Sequence, residues 1–175
     1  MYKRRQARDL FVLVVCTVTL AACGKGVPDI VGAVTGAGKV KPADIVIPSQ
    51  VLGLEVKPED VSKQIKQARR PYIDSIGFFS LREADLVRAT FQVSRFNDIA
   101  QPENSSFRQS IIGLLGSSKP VSLKVSGETV FATTGTEQSI FVWFKGRAFF
   151  VLTTHRQYEF PRTLLRRMVE VEKAL

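Results

Sequence analysis

The stretch SIFVWFKGRAFFVLT, residues 139–153, decides the fold. Two apolar runs flank Lys145 and Gly146, and an X-Gly pair between such runs signals a β-hairpin. Side chains alternate along a strand, so Ile140, Val142 and Phe144 point one way and Phe141 and Trp143 the other. Both directions are apolar. This hairpin therefore belongs in the middle of a sheet, with something covering each face.

Outward from this hairpin the pattern continues. Val121, Leu123 and Val125 alternate with Ser122 and Lys124, and Ser126 and Gly127 turn the chain into a strand over residues 129–133. Residues 76–82 pair with 86–96 through a turn at 83–85. In the second of these runs Val87, Ala89, Phe91 and Val93 alternate with Arg88, Thr90, Gln92 and Ser94, which reads as a half-buried strand with one face toward water or a partner. Residues 45–48 and 51–56 look extended. Three helices are expected. Pro58 opens the first, with Glu59 and Asp60 suited to a helix N-terminus and Val61, Ile65 and Ala68 on one stripe. The second follows Pro102, carries Phe107, Ile111, Leu114 and Leu115 on one side, and stops at Gly116. Pro161 opens the third, with Leu164, Met168, Val171 and Leu175 on a continuous stripe. The expected fold is α+β: an antiparallel sheet of about five to seven strands packed with two to three helices.

The N-terminus tells where such a domain would live. Lys3, Arg4, Arg5 and Arg8 precede an apolar run over residues 10–20. That run is too short for an ordinary membrane helix, which needs ~20 apolar residues, and has the length of an export signal. It closes on LAAC, residues 20–23. This segment resembles a bacterial lipoprotein signal peptide with its lipobox. The resemblance implies cleavage between Ala22 and Cys23, a diacylglycerol on the Cys23 sulfur and a further acyl chain, such as palmitate, on its amine. A plain secretory peptide and an uncleaved anchor are the alternatives. The implied organisation is a signal peptide over 1–22, a lipidated N-terminus and glycine-rich tether over 23–44, and a single domain over 45–175. The implied location is a bacterial cell membrane or outer membrane, with the domain outside the cytoplasm. Gly24 does not favour inner-membrane retention under the Gram-negative sorting rule.

Composition agrees with export. Cys16 and Cys23 are the only cysteines, so no disulfide is expected in the processed chain and the core must hold the domain together. One histidine and no cysteine cluster give no expectation of a metal. The net charge is +9, and about +6 without the signal peptide. Beside a membrane this suggests attraction to anionic headgroups or wall polymers, but simple solubility is the preferred account. Nucleic acid is not expected outside the cell.

The residues offer little chemistry. His155 has no nucleophile motif to serve, and no Gly-x-Ser-x-Gly or His-Glu-x-x-His pattern exists. Glu83 and Asp85 fall in a hairpin turn, where solvation is the simpler account. No cofactor is expected. Trp143 and the many phenylalanines could line a lipid pocket, but a sheet-and-helix core needs the same residues. The polar strand face with Arg88, Thr90, Gln92 and Lys124 is the surface nominated for a ligand or partner. Two phrases, SLREADLVRATFQVSRF (80–96) and SIFVWFKGRAFFVL (139–152), together with the order of elements, resemble PsbP-like exported lipoproteins of actinobacteria. That resemblance rests on packing patterns and implies no functional residues. The expected function is non-enzymatic: a membrane-anchored envelope lipoprotein binding an envelope protein or wall polymer. The alternative is a small-lipid carrier with an apolar pocket between sheet and helices.

Overall fold

The computed structural model describes residues 41–42, 45–60, 73–97, 102–113, 120–155 and 158–173. Its strands are β1 (Lys41–Pro42), β2 (Gln50–Val51), β3 (Leu54–Pro58), β4 (Ile73–Glu83), β5 (Leu86–Phe96), β6 (Val121–Val125), β7 (Glu128–Thr134), β8 (Gln138–Lys145) and β9 (Ala148–His155). Two helices are described, α1 (Ser105–Ile112) after β5 and α2 (Pro161–Lys173) after β9. Eight strands form one antiparallel sheet in the order β2-β3-β4-β5-β9-β8-β7-β6, and β1 adds in parallel beside the start of β4. The hairpin of residues 139–153 is β8–β9, and it lies between β5 and β7.

This architecture corrects the α+β expectation. The described chain is nearly all-β, with nine strands in place of five to seven and helices of only 8 and 13 residues. Part of the difference lies at Pro58. It ends β3 opposite Phe79 instead of opening a helix, and the next amide, of Glu59, donates to the Phe78 carbonyl at 2.9 Å. β2 pairs only with Leu54 and Glu55. The outer side of β3 at Pro58 is therefore an edge, where a missing N–H costs nothing. The rest of the first predicted helix, from Val61 onward, lies outside the described residues, as do Leu114, Leu115, Gly116 and Leu175.

Registration fixes two faces. On the first, Phe79, Phe91, Leu152 and Phe141 stand in one row and Val93, Phe150, Trp143 and Val130 in the next. Phe91, Trp143 and Phe150 stack with ring centroids 5.3–6.1 Å apart. Leu164, Leu165, Met168 and Val169 of α2 pack into the same cluster and are wholly buried. Each such side chain contributes ~1.5–3 kcal/mol through removal from water. A flat sheet of eight strands would be about 34 Å wide, whereas a helix of this length spans about 20 Å. Yet α2 makes its closest approaches to β2 and β6, the two ends of the strand order. The sheet therefore curls around the helix. Among the described residues, α2 is the helix that packs on this face.

The second face is mixed. Near one end Phe96, Ile76, Phe149 and Phe144 cluster under Phe107, Ile111 and Ile112 of α1. Asn104 caps that helix, its side chain accepting from the amides of Ser106 and Phe107. Nearer the other end a row of Ser80, Thr90 and Thr153 is buried in the sheet.

Candidate functional site

The nominated polar face does not form one surface. Thr90 and Gln92 are 5% and 7% exposed, so they are interior residues and not a water-facing strand side. Burial without a partner would be costly for these groups, and the sheet supplies partners. The Gln92 side-chain amide donates to the Ser94 hydroxyl at 3.0 Å, and the Arg82 guanidinium donates to Ser80 at 3.0 Å. Arg88 and Lys124 lie on the same face, but four strands apart and roughly 20 Å apart along the strand direction. Arg88 pairs with Glu83 at 2.8 Å beside the β4–β5 turn. Lys124 donates to Thr129 at 2.7 Å beside the β6–β7 turn. Cys23 and Ala22 lie outside the described residues, as does the stretch 23–40. Lys41 and Pro42, within the stretch read as tether, pair with Ser75 and Ile76.

The topology gathers a different set of residues. At the end of the sheet where β4 turns into β5 stand also the β2–β3 turn, the β7–β8 loop and the exit from β9. We term this the loop end. Five large apolar residues are prominently exposed among the described residues, and three of them belong here: Leu52 (48%), Leu86 (59%) and Phe160 (60%). Lone apolar residues on a surface are ordinary, but several on adjoining tips are not. Leu52 is the most telling. It and Gly53 form a two-residue hairpin turn with φ of 51° and 77°. Such a turn favours asparagine first, because left-handed backbone costs a leucine ~1 kcal/mol or more. A residue disfavoured both by backbone and by exposure invites a functional explanation.

The exit of β9 joins the third tip to the second. Burial, and after it the Glu83 carboxylate, push the Tyr158 phenol above its ordinary value. β9 ends beside the start of β5, with Thr154 opposite Ala89, and Phe160 follows five residues after His155. The Phe160 carbonyl accepts from the Leu164 amide at 3.0 Å, tying this connection to the start of α2. Glu83, Asp85, Glu137 and Glu159 surround the tips. The loop end thus offers apolar side chains within a border of mixed charge, in which Arg88 is held on Glu83 and Arg162 follows Phe160.

Sequence reading missed this cluster, because Leu52, Leu86 and Phe160 are isolated in the chain and only topology unites them. The Leu-Gly pair between Val51 and Leu54 was the one local signal. Of the residues weighed for chemistry, Glu83 is engaged by Arg88, Asp85 sits in the turn, and His155 is the half-buried last residue of β9, in register with Gln138. Trp143 is wholly buried, and its indole Nε1–H has no hydrogen-bond acceptor among the described residues. No described helix is long and apolar enough to cross a membrane. No protein-family model matches the chain, and no curated protein or solved structure matches it either.

Proposed function

We propose that this chain is a cell-envelope lipoprotein, anchored through Cys23, whose domain is non-enzymatic and binds another envelope component through the loop end. The observation that carries the binding reading is the convergence of Leu52, Leu86 and Phe160 on adjoining tips of one curled sheet. Apolar anchors in a polar border are the usual core of a protein interface, and aromatic residues are prominent among them. Apolar anchors within a border of mixed charge suit a protein partner, and an envelope protein is therefore preferred to a wall polymer at this end.

The lipid-carrier alternative needs room for an acyl chain between the sheet and a helix. Between the first face and α2 the aromatic rings instead stack on one another and on Leu164, Leu165, Met168 and Val169. This packing favours the binding module.

Native mass spectrometry of full-length protein extracted from membranes tests both readings. We expect a chain beginning at Cys23 with covalent acyl mass, bound to a second protein and to no stoichiometric lipid. A noncovalent lipid retained on every molecule would replace the binding reading with the carrier. A chain that keeps Met1, or begins at an unmodified Cys23, would remove the anchor.

A further inference from the structure

We propose that the end of the sheet opposite the loop end rests on anionic lipid headgroups and so sets the orientation of the domain on its membrane. The inference deepens the lipid-anchor reading and depends on it.

Charge and chain path coincide at this end. Here β5 finishes, β9 begins, and the β6–β7 and β8–β9 turns lie side by side. Arg95, Lys124, Lys145 and Arg147 are all exposed here. Arg95 and Lys145 stand in one row across β5, β9 and β8, and Lys124 lies two strands beyond Lys145. At strand spacings of ~4.8 Å, these cations spread over about 20 Å. The turn is held in place, because the Phe96 amide donates to the Arg147 carbonyl at 2.7 Å and the Arg147 Nε–H donates to the Phe96 carbonyl at 3.4 Å. Among the described residues the acids toward this end are Asp74, Glu103 and Glu128, and Glu103 is paired with Arg108 at 3.0 Å.

The chain also enters here. Lys41 and Pro42 pair in parallel with Ser75 and Ile76, near the start of β4, so the polypeptide coming from Cys23 meets the domain at its basic end. Only residues 24–40 separate Cys23 from β1. A lipid on Cys23 would place an anionic surface near that entry, and basic residues close to such a surface are attracted through the headgroup field. Each cation brought to the surface strengthens binding about fivefold. The loop end with its apolar tips then points away from the anchoring membrane, where a protein partner can reach it.

The test uses lipidated protein in vesicles. Cys16 leaves with the signal peptide and Cys23 is blocked, so one introduced cysteine is the sole thiol. Ser126→Cys reports the basic end and Ala84→Cys the loop end; both occupy turns with similar left-handed backbone, φ 48° and 50°. A donor dye on either reads energy transfer to an acceptor lipid. On vesicles one-third phosphatidylglycerol, transfer should be several-fold stronger from position 126 than from 84. The difference should collapse on pure phosphatidylcholine, in high salt, and in Arg95→Glu/Lys124→Glu/Lys145→Glu/Arg147→Glu. Salt and lipid composition decide the matter even if that variant misfolds. Equal transfer from both positions on anionic vesicles overturns the proposal while leaving the anchor intact. Equal behaviour on both vesicle types overturns it too, and retention on an anionic wall polymer would then name the true counterpart. Protein that takes up no labelled fatty acid at Cys23 sinks the anchor, and this inference with it.

Discussion

At one end of the sheet the turns carry Leu52 and Leu86 among residues of both charges; at the other they are flanked by Lys124, Lys145 and Arg147. Both ends carry two-residue hairpin turns, β2–β3 and β4–β5 at one and β6–β7 and β8–β9 at the other, so turn type alone does not explain the contrast. Backbone strain is shared as well: Leu52 and Ala84 at one end, and Ser126 at the other, all have positive φ. What differs is what the tips display. The comparison teaches that a sheet with a well-filled interior can keep its two surfaces of interaction on its rims, roughly 30 Å apart along strands of 11 residues.

The largest expected effect strikes both ends together. Trp143→Ala removes the centre of the aromatic stack and should cost ~3–5 kcal/mol, read as a lowered denaturant midpoint. Partner binding and membrane orientation should then fail in parallel. Loss of one alone would mean that the ends do not share a core.

A double change separates the ends. Leu86→Asp with Phe160→Asp should weaken partner binding by ~2 kcal/mol or more, about thirtyfold, as expected for interface anchors. Stability should move by only ~0.5 kcal/mol, since both positions are exposed. Titration of the partner identified by mass spectrometry, beside an unfolding curve, checks both numbers.

The converse change acts at the basic end. Asn104→Ala deletes two capping hydrogen bonds at the start of α1 and should cost ~1 kcal/mol of stability. Partner affinity should stay unchanged. A fall in affinity would show that the second face, and not the loop end, carries the interface.

Leu52→Asn is the finest test. Asparagine tolerates the left-handed turn, so unfolding should become harder by a few tenths of a kcal/mol while partner binding weakens. A variant both more stable and fully able to bind would leave Leu52 without a role.

The same contrast shows what the sequence could reveal. The β8–β9 hairpin was legible because its runs are apolar in both directions, which only a central position satisfies. The β4–β5 and β6–β7 pairs were legible from alternation and turn residues. Thr90 and Gln92 were misread because alternation with polar residues looks alike whether those residues meet water or each other; Gln92 meets Ser94. Pro58 was misread because proline suits an edge strand as well as a helix start. The nearly all-β character was not legible because curling of the sheet around α2 depends on contacts of α2 with β2 and β6, far apart in the chain, which no local pattern records. The basic end was visible only as net charge, since Arg95, Lys124 and Lys145 are distant in sequence and are brought to one end through β9, β8 and β7.

Photo-crosslinking in intact cells tests the division between the ends most directly. A photoreactive residue replaces Leu86 in one strain and Gly127, beside Ser126, in another. From position 86 the account predicts a discrete protein adduct, and from 127 adducts to membrane lipid. Lipid adducts at 86 with protein adducts at 127, or the same products from both, would contradict it.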